Sequence, residues 1–296
     1  MPDAAGRTVA VIGALGVTGR QLIPVLEERG VRVRAIDKQK APADLFDASV
    51  EVRAGNLQDI GSLVSAIEGA DSIHYIPPSF NPREEEFARN LIAAAERADI
   101  SRLVYHSVLH AATPDMPHHI RKAWVELSLR HSTLLWTVLQ PAMYAQTILA
   151  FFDKAAGVLS PAFDPSRPFT PVDGQDLAEV AAIVHTTDGH AYATYELAGS
   201  EQLNFLAMGE RLGEVLGRSI VTRAQTQEAV GERLSNTRGY TPEQVRELAL
   251  MCAHYDKYGL VGNANVLRML LGREPTNFAQ AIRRSLQIEP KARSDL

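Results

Sequence analysis

The chain has 296 residues, 46% of them hydrophobic, and a formal net charge of -5, which is enough length to bury a large core in one big domain or two modest ones. With a pI near 6.0 and no long basic run, it lacks the electrostatic footprint of a nucleic-acid surface. No apolar stretch reaches the ~20 residues of a membrane span, and Met1 to Arg7 show no signal-peptide pattern, so a cytoplasmic protein with no nucleic-acid or membrane partner is expected.

In chain order, short apolar runs at Thr8 to Ile12, Arg32 to Ile36, Val50 to Ala54, Ser72 to Tyr75, Arg102 to Ser107 and Leu134 to Leu139 alternate with helical patterns. The helices are expected at Thr18 to Arg29, Ile60 to Glu68, Arg83 to Ala98 and Pro117 to His131, with Gly30 and Gly69 as stops and Asn81-Pro82 opening the third. Strands alternating with helices predict right-handed crossovers and a parallel sheet covered on both faces, an α/β Rossmann-type doubly wound architecture. Pro24 falls two turns into the first helix and predicts a kink there.

After Tyr144 the rhythm changes. The prolines at 161, 165, 168 and 171 predict a long loop serving as a lid or pocket wall. A helix at Gly174 to His185, a strand at Thr194 to Leu197, a helix at Asn204 to Leu216, a strand near Ile220 and helices from Pro242 onward follow. The expected organisation is a dinucleotide-binding domain over residues 1–150, with segments returning from 170–200, and a smaller, mostly helical substrate-side cap over 151–296. Pro290 to Leu296 read as a frayed tail. The single cysteine, Cys252, lies in a helical pattern and reads as core.

The sharpest local signal is Gly13-Ala14-Leu15-Gly16-Val17-Thr18-Gly19, a GxxGxxG turn placed directly after the first strand. In that position Gly13 allows the tight turn, Gly16 lets backbone approach a pyrophosphate, and Gly19 allows close packing of helix on strand. At the end of the second strand, Asp37 can accept from both hydroxyls of an adenosine ribose and would repel a 2′-phosphate, favouring NAD, whereas Lys38 and Lys40 pull toward NADP. Asn56, with Leu57 beside it, either meets the adenine or makes a simple turn.

These motifs, with Pro77-Pro78, the segment His118 to Lys122 with Glu126, Gln140-Pro141 with Tyr144, the segment Pro171 to Asp176, Leu197-Ala198-Gly199 and Leu216-Gly217-Arg218, resemble in their order the NmrA-like proteins, an atypical branch of the short-chain dehydrogenase/reductase superfamily. The resemblance implies that Gly13, Leu15, Gly16, Val17, Asp37, Lys38, Asn56, Pro77, Pro78 and Lys122 line a dinucleotide and that Tyr144 flanks its nicotinamide. Asp37 departs from a position at which many members accommodate NADP, and Gln140 replaces the frequent arginine before Pro141.

Typical members of the superfamily place a proton-donating tyrosine four residues before a lysine. Here that position is His118, one helical turn from Lys122, which makes His118 an alternative proton donor near neutral pH and His119 a spare. The bland alternative is a capping histidine and an ordinary surface pair between Lys122 and Glu126. Ser107, at the carboxyl end of the fifth strand, either touches cofactor or substrate or only bonds backbone. Tyr75, Phe80, Tyr144, Phe151, Phe152 and Phe163 offer an apolar wall, although most such residues are core; His119, Tyr144 and Phe163 are the substrate-side candidates. The nine histidines form no HExxH pattern, and no GxSxG elbow points to a hydrolase, so no metal site is expected.

Two functions follow from the resemblance and the site. One is an NAD(P)-dependent oxidoreductase acting on a small apolar or aromatic carbonyl, quinone or enone. The other is a redox sensor that binds NAD(P) and acts through a protein partner, a reading the missing tyrosine favours. A homodimer is compatible with both.

Overall fold

A computed structural model describes residues 6–39, 42 and 45–287. Lys40 and the expected tail at Pro290 to Leu296 lie outside the described residues. In chain order the elements are β1 (Thr8–Ile12), α1 (Val17–Glu28), β2 (Arg32–Asp37), β3 (Glu51–Ala54), α2 (Ile60–Ile67), β4 (Ser72–Tyr75), α3 (Glu84–Arg97), β5 (Arg102–His106), α4 (Pro117–Arg130) and β6 (Leu135–Pro141). A 3₁₀ helix (Ala145–Phe151), β7 (Phe152–Asp153), β8 (Val158–Leu159), α5 (Gly174–Thr186), β9 (Ala193–Leu197), α6 (Phe205–Leu216) and β10 (Val221–Thr222) follow. The chain closes with α7 (Gln227–Arg238), α8 (Pro242–Tyr258), α9 (Asn265–Leu271) and α10 (Phe278–Ser285).

The chain divides into two compact units, one of residues 1–141 with 177–196 and the other of residues 142–176 with 197–296. The first carries a Rossmann-type sheet in the order β3-β2-β1-β4-β5-β6-β9, in which β1 runs parallel to both β2 and β4, as do β2 to β3, β4 to β5 and β5 to β6. All five residues of β1 are buried, as a central strand covered on both faces requires. The strand order reverses between β1 and β4, so a crevice opens beyond their carboxyl ends. Gly13 leaves β1 there and Ile76 leaves β4, with the Ile76 N–H donating to the Ile12 carbonyl at 3.0 Å.

α1 turns Leu22, Ile23, Val25 and Leu26 into the core and runs through Pro24 without ending. Asp59 caps α2, its carboxylate accepting from the Gly61 and Ser62 N–H groups. Within this core, three histidines from different elements meet. His74 Nδ1 lies 3.2 Å from His185 Nε2, Ser72 Oγ lies 2.9 Å from His185 Nδ1, and the His106 ring packs edge-on against His74. Burial drives His74 down to about 3 and holds His106 and His185 well below the ordinary histidine range.

The second unit holds a small sheet in the order β10-β8-β7 and an aromatic core. Phe163 packs 5.0 Å from Phe205 and 5.3 Å from Phe169, and Phe169 lies 5.4 Å from Tyr255, centroid to centroid. The proline-rich stretch is therefore a strap through this core and not the expected lid: Phe169 exchanges two backbone hydrogen bonds with Leu203, at 2.7 and 2.8 Å. Asp176, fully buried, accepts from the Thr276 N–H at 2.6 Å and its hydroxyl at 2.8 Å, tying the loop before α10 to the start of α5. Cys252 is buried, and its thiol is pushed up to about 12 by that burial. β7, β8 and α7 escape a periodicity reading because the strands are two residues long and α7 carries few apolar residues. α7 forms because Thr226 caps it and Gly231 lets it close onto Val245 of α8.

Candidate functional site

The glycine turn is pinned before any ligand arrives. The Gly13 and Ala14 N–H groups donate to the Ile36 carbonyl at 3.0 and 3.3 Å, and the Gly16 N–H donates to the Gly13 carbonyl at 3.2 Å. Gly13 adopts φ +85, and a Cβ there would sit 2.5 Å from the Ile76 carbonyl oxygen. At Gly19 a Cβ would meet the Gly13 carbonyl oxygen at 2.6 Å and the Ala14 Cα at 2.7 Å, so the helix rests on the turn at a distance only glycine permits. Gly16 is the N-cap of α1 and offers no side chain to its first-turn N–H groups. An uncapped helix start at the mouth of a crevice is the donor set a phosphate requires.

A cleft of about 500 Å³ opens there, lined by Ile12, Gly13, Gly16, Val17, Thr18, Asp37, Lys38, Gly55, Asn56, Leu57, Gln58, Ile76, Pro77, Pro78, Ser79, Asn81 and Phe87. Gly13, Gly16, Val17, Asp37, Lys38, Asn56, Leu57, Pro77 and Pro78, singled out from the sequence, thus line one cleft. Leu15 joins through its backbone, its N–H donating to Asp37 Oδ2 at 3.2 Å, while Asp37 Oδ1 accepts from the Lys38 N–H at 2.8 Å. Asn56 both lines the cleft and makes a turn, its Oδ1 accepting from the Gln58 N–H at 3.1 Å. The sequence reading missed Ser79, Asn81 and Phe87, because they reach the cleft only through the path of the loop after β4.

His118, His119, Lys122 and Ser107 do not line this cleft; they build a polar group around α4. Lys122 is 5% exposed and Glu84 is 0% exposed. Lys122 Nζ donates to Glu84 Oε1 at 2.8 Å, and the Tyr105 hydroxyl donates to the same oxygen at 2.7 Å. The expected surface pair between Lys122 and Glu126 is therefore wrong: α4 points both side chains inward, and each finds a different partner. Glu126 Oε1 accepts from the Ser107 hydroxyl at 2.6 Å and from the Gln140 amide at 2.7 Å. Ser107 thus spends its proton on a carboxylate and presents lone pairs only. Gln140, which replaces the frequent arginine before Pro141, joins Ser107 and Arg130 in making burial of Glu126 tolerable.

His118 stacks on Phe80 with ring centroids 4.4 Å apart, and its buried Nδ1 has no hydrogen-bond partner among the described residues. Phe80 holds φ 52, a left-handed conformation costly for an aromatic residue, between the cleft-lining Ser79 and Asn81. Burial, then the charges of Lys122, His119 and Arg121, push His118 well below the ordinary histidine range. A shift in that direction leaves the ring neutral near pH 7. His119 is 0% exposed, with Nδ1 3.4 Å from the His110 carbonyl oxygen. Phe163 is part of the second unit's aromatic core. Tyr75, 1% exposed against Tyr105, is core too. Tyr144 belongs to the second unit, where it precedes the 3₁₀ helix and bridges to Val172.

Fold and cleft together define a Rossmann-type protein with a seat for a phosphorylated ligand at its topological switch point. The chain belongs to the NmrA-like family, whose profile matches residues 5–280. It is 26% identical over 279 residues to quinone oxidoreductase 2 of Escherichia coli (strain K12), covering 93% of this chain and 97% of that protein. The crystal structure of an NADPH-dependent quinone oxidoreductase from Escherichia coli complexed with NADPH matches with a TM-score of 0.79 and 25% identity, covering 94% of this chain and 99% of the other. A triphenylmethane reductase from Citrobacter sp. shares the fold at a TM-score of 0.80 and 23% identity, over 95% of this chain and 99% of that one. Among the described residues no helix is long and apolar enough to cross a membrane, and no group of three or more His, Cys, Asp or Glu residues is arranged to hold a metal ion.

Proposed function

We propose that the protein is an NAD(P)-dependent oxidoreductase that reduces a small apolar or aromatic carbonyl, quinone or enone. The cleft carries this reading: a glycine turn under an uncapped helix start, a carboxylate at the end of β2, and a match along nearly the whole chain to a relative named as a quinone oxidoreductase. The chemistry a bound nicotinamide dinucleotide supplies there is hydride transfer. The turn Gly13 to Val17 holds the pyrophosphate, Asp37 and Lys38 face the adenosine ribose, Asn56 and Leu57 border the adenine, and Pro77 and Pro78 wall the opposite side. Lys122 and Ser107, at the carboxyl end of the sheet, reach the nicotinamide half as donor and acceptor.

His118, neutral at physiological pH, offers a hydrogen bond to the substrate oxygen, and the proton that completes reduction comes from solvent. The test follows oxidation of NADH and NADPH against a panel of quinones, aldehydes, ketones and enones. Turnover with at least one substrate class is expected, and His118→Ala lowers it about tenfold, the worth of one hydrogen bond. Tight dinucleotide binding without turnover anywhere on the panel sinks the enzyme reading in favour of a redox sensor acting through a protein partner. Unchanged rates in His118→Ala remove the role of that residue.

A further inference from the structure

We propose that Glu84, at the start of α3, is a positioning residue of the dinucleotide site, a buried carboxylate that holds the ammonium of Lys122 aimed at the bound dinucleotide. The inference rests on the reading above that Lys122 contacts that dinucleotide. Glu84 Oε1 takes Lys122 Nζ at 2.8 Å and the Tyr105 hydroxyl at 2.7 Å, and Nζ stands 5.8 Å from the centroid of the Tyr105 ring. β5, α3 and α4 each contribute one member, so the ammonium is located by three elements and not by its own flexible stem.

Two observations separate this arrangement from a pair kept for stability. An ion pair taken fully out of water gains little over a packed apolar pair, because desolvating both charges offsets their attraction. Glu84 Oε2 is also buried without a hydrogen-bond partner among the described residues, and leaving a buried acceptor unsatisfied is costly. Such a cost at a site adjoining a ligand cleft points to placement of a charge. Phe87, three residues along α3 and so on the same helix face, lines the cleft, as does Asn81 just before the helix.

The experiment measures NADH and NADPH dissociation constants by fluorescence titration across a range of pH for the parent, Glu84→Gln, Lys122→Met and the double variant, with thermal melts alongside. Lys122→Met is expected to weaken binding about tenfold, the worth of one charge-assisted hydrogen bond. Glu84→Gln is expected to weaken it several-fold across that range, because the lysine loses the carboxylate that holds it in place. The double variant should bind like Lys122→Met alone, since Glu84 acts through the lysine. If Glu84→Gln does not fold, Glu84→Asp keeps the charge while drawing it back by one methylene, and it should show the several-fold loss.

Parent-like affinity in Glu84→Gln, or in Glu84→Asp where that variant stands in, overturns the proposal while the Lys122 reading survives. Additive losses in the double variant overturn it as well. Parent-like affinity in Lys122→Met overturns the Lys122 reading and the proposal with it.

Discussion

Asp37 shows how much one carboxylate is asked to do. Both its oxygens already accept backbone N–H groups, from Leu15 at 3.2 Å and Lys38 at 2.8 Å, so the residue braces the glycine turn. A carboxylate there would repel a 2′-phosphate, whereas the Escherichia coli structural relative was solved with NADPH and Lys38 in the same cleft is cationic. Asp37→Ser removes a charge that repels a 2′-phosphate and should raise NADPH affinity over NADH by about tenfold, a change of about 1.4 kcal/mol in partly solvated surroundings. Titration of both dinucleotides checks it; a parent that already binds NADPH far more tightly overturns the Asp37 reading. The same scale explains why Glu84 escaped detection. In the run Glu84-Glu85-Glu86 all three look like acidic first-turn residues favouring a helix dipole, and only packing shows that Glu84 is buried while its neighbours pair with arginines at the surface.

Among the elements, α1 carries the clearest conflict between local preference and tertiary demand. Pro24 stands exposed inside a helix that nonetheless continues to Glu28, and its missing N–H leaves the Arg20 carbonyl without its usual intrahelical donor. Pro24→Ala restores that donor on the solvent side and should raise stability by about 1–3 kcal/mol, read as a higher urea midpoint with an unchanged slope. A lower midpoint would show that the proline geometry is needed by the glycine turn at the start of the helix. The strands and helices of the first unit were legible in the sequence to within a residue or two because each is long enough to show its period. The 3₁₀ helix and the two-residue strands β7 and β8 are not, because they form around the aromatic core and not from local pattern.

For the whole molecule, the buried histidines couple stability to pH. His74 stays neutral in the native state down to about 3, whereas an unfolded histidine takes its proton at about 6.5. Its stabilising contribution is therefore complete above about pH 6.5 and is lost as pH falls toward 3, at up to about 1.4 kcal/mol per pH unit. His106, His118 and His185 are shifted in the same direction by burial, and contact between His74 and His185 makes the set titrate jointly. The melting temperature should fall steadily from about pH 7 to about pH 5, and a flat profile over that interval would refute the account.

The sequence by itself determined the Rossmann-type architecture, the glycine turn and most of the wall that faces it, because period, turn chemistry and motif order are local properties written within a few residues of one another. Tertiary structure alone decided where the inward side of α4 leads: Lys122 to Glu84, thirty-eight residues earlier, and Ser107 with Gln140 to Glu126. Those pairings come from separate elements packed in low dielectric, where a charge must find whatever partner the fold brings within reach. The loop after β4 completes the cleft and stacks Phe80 on His118 for the same reason, since its course is set by the elements it joins.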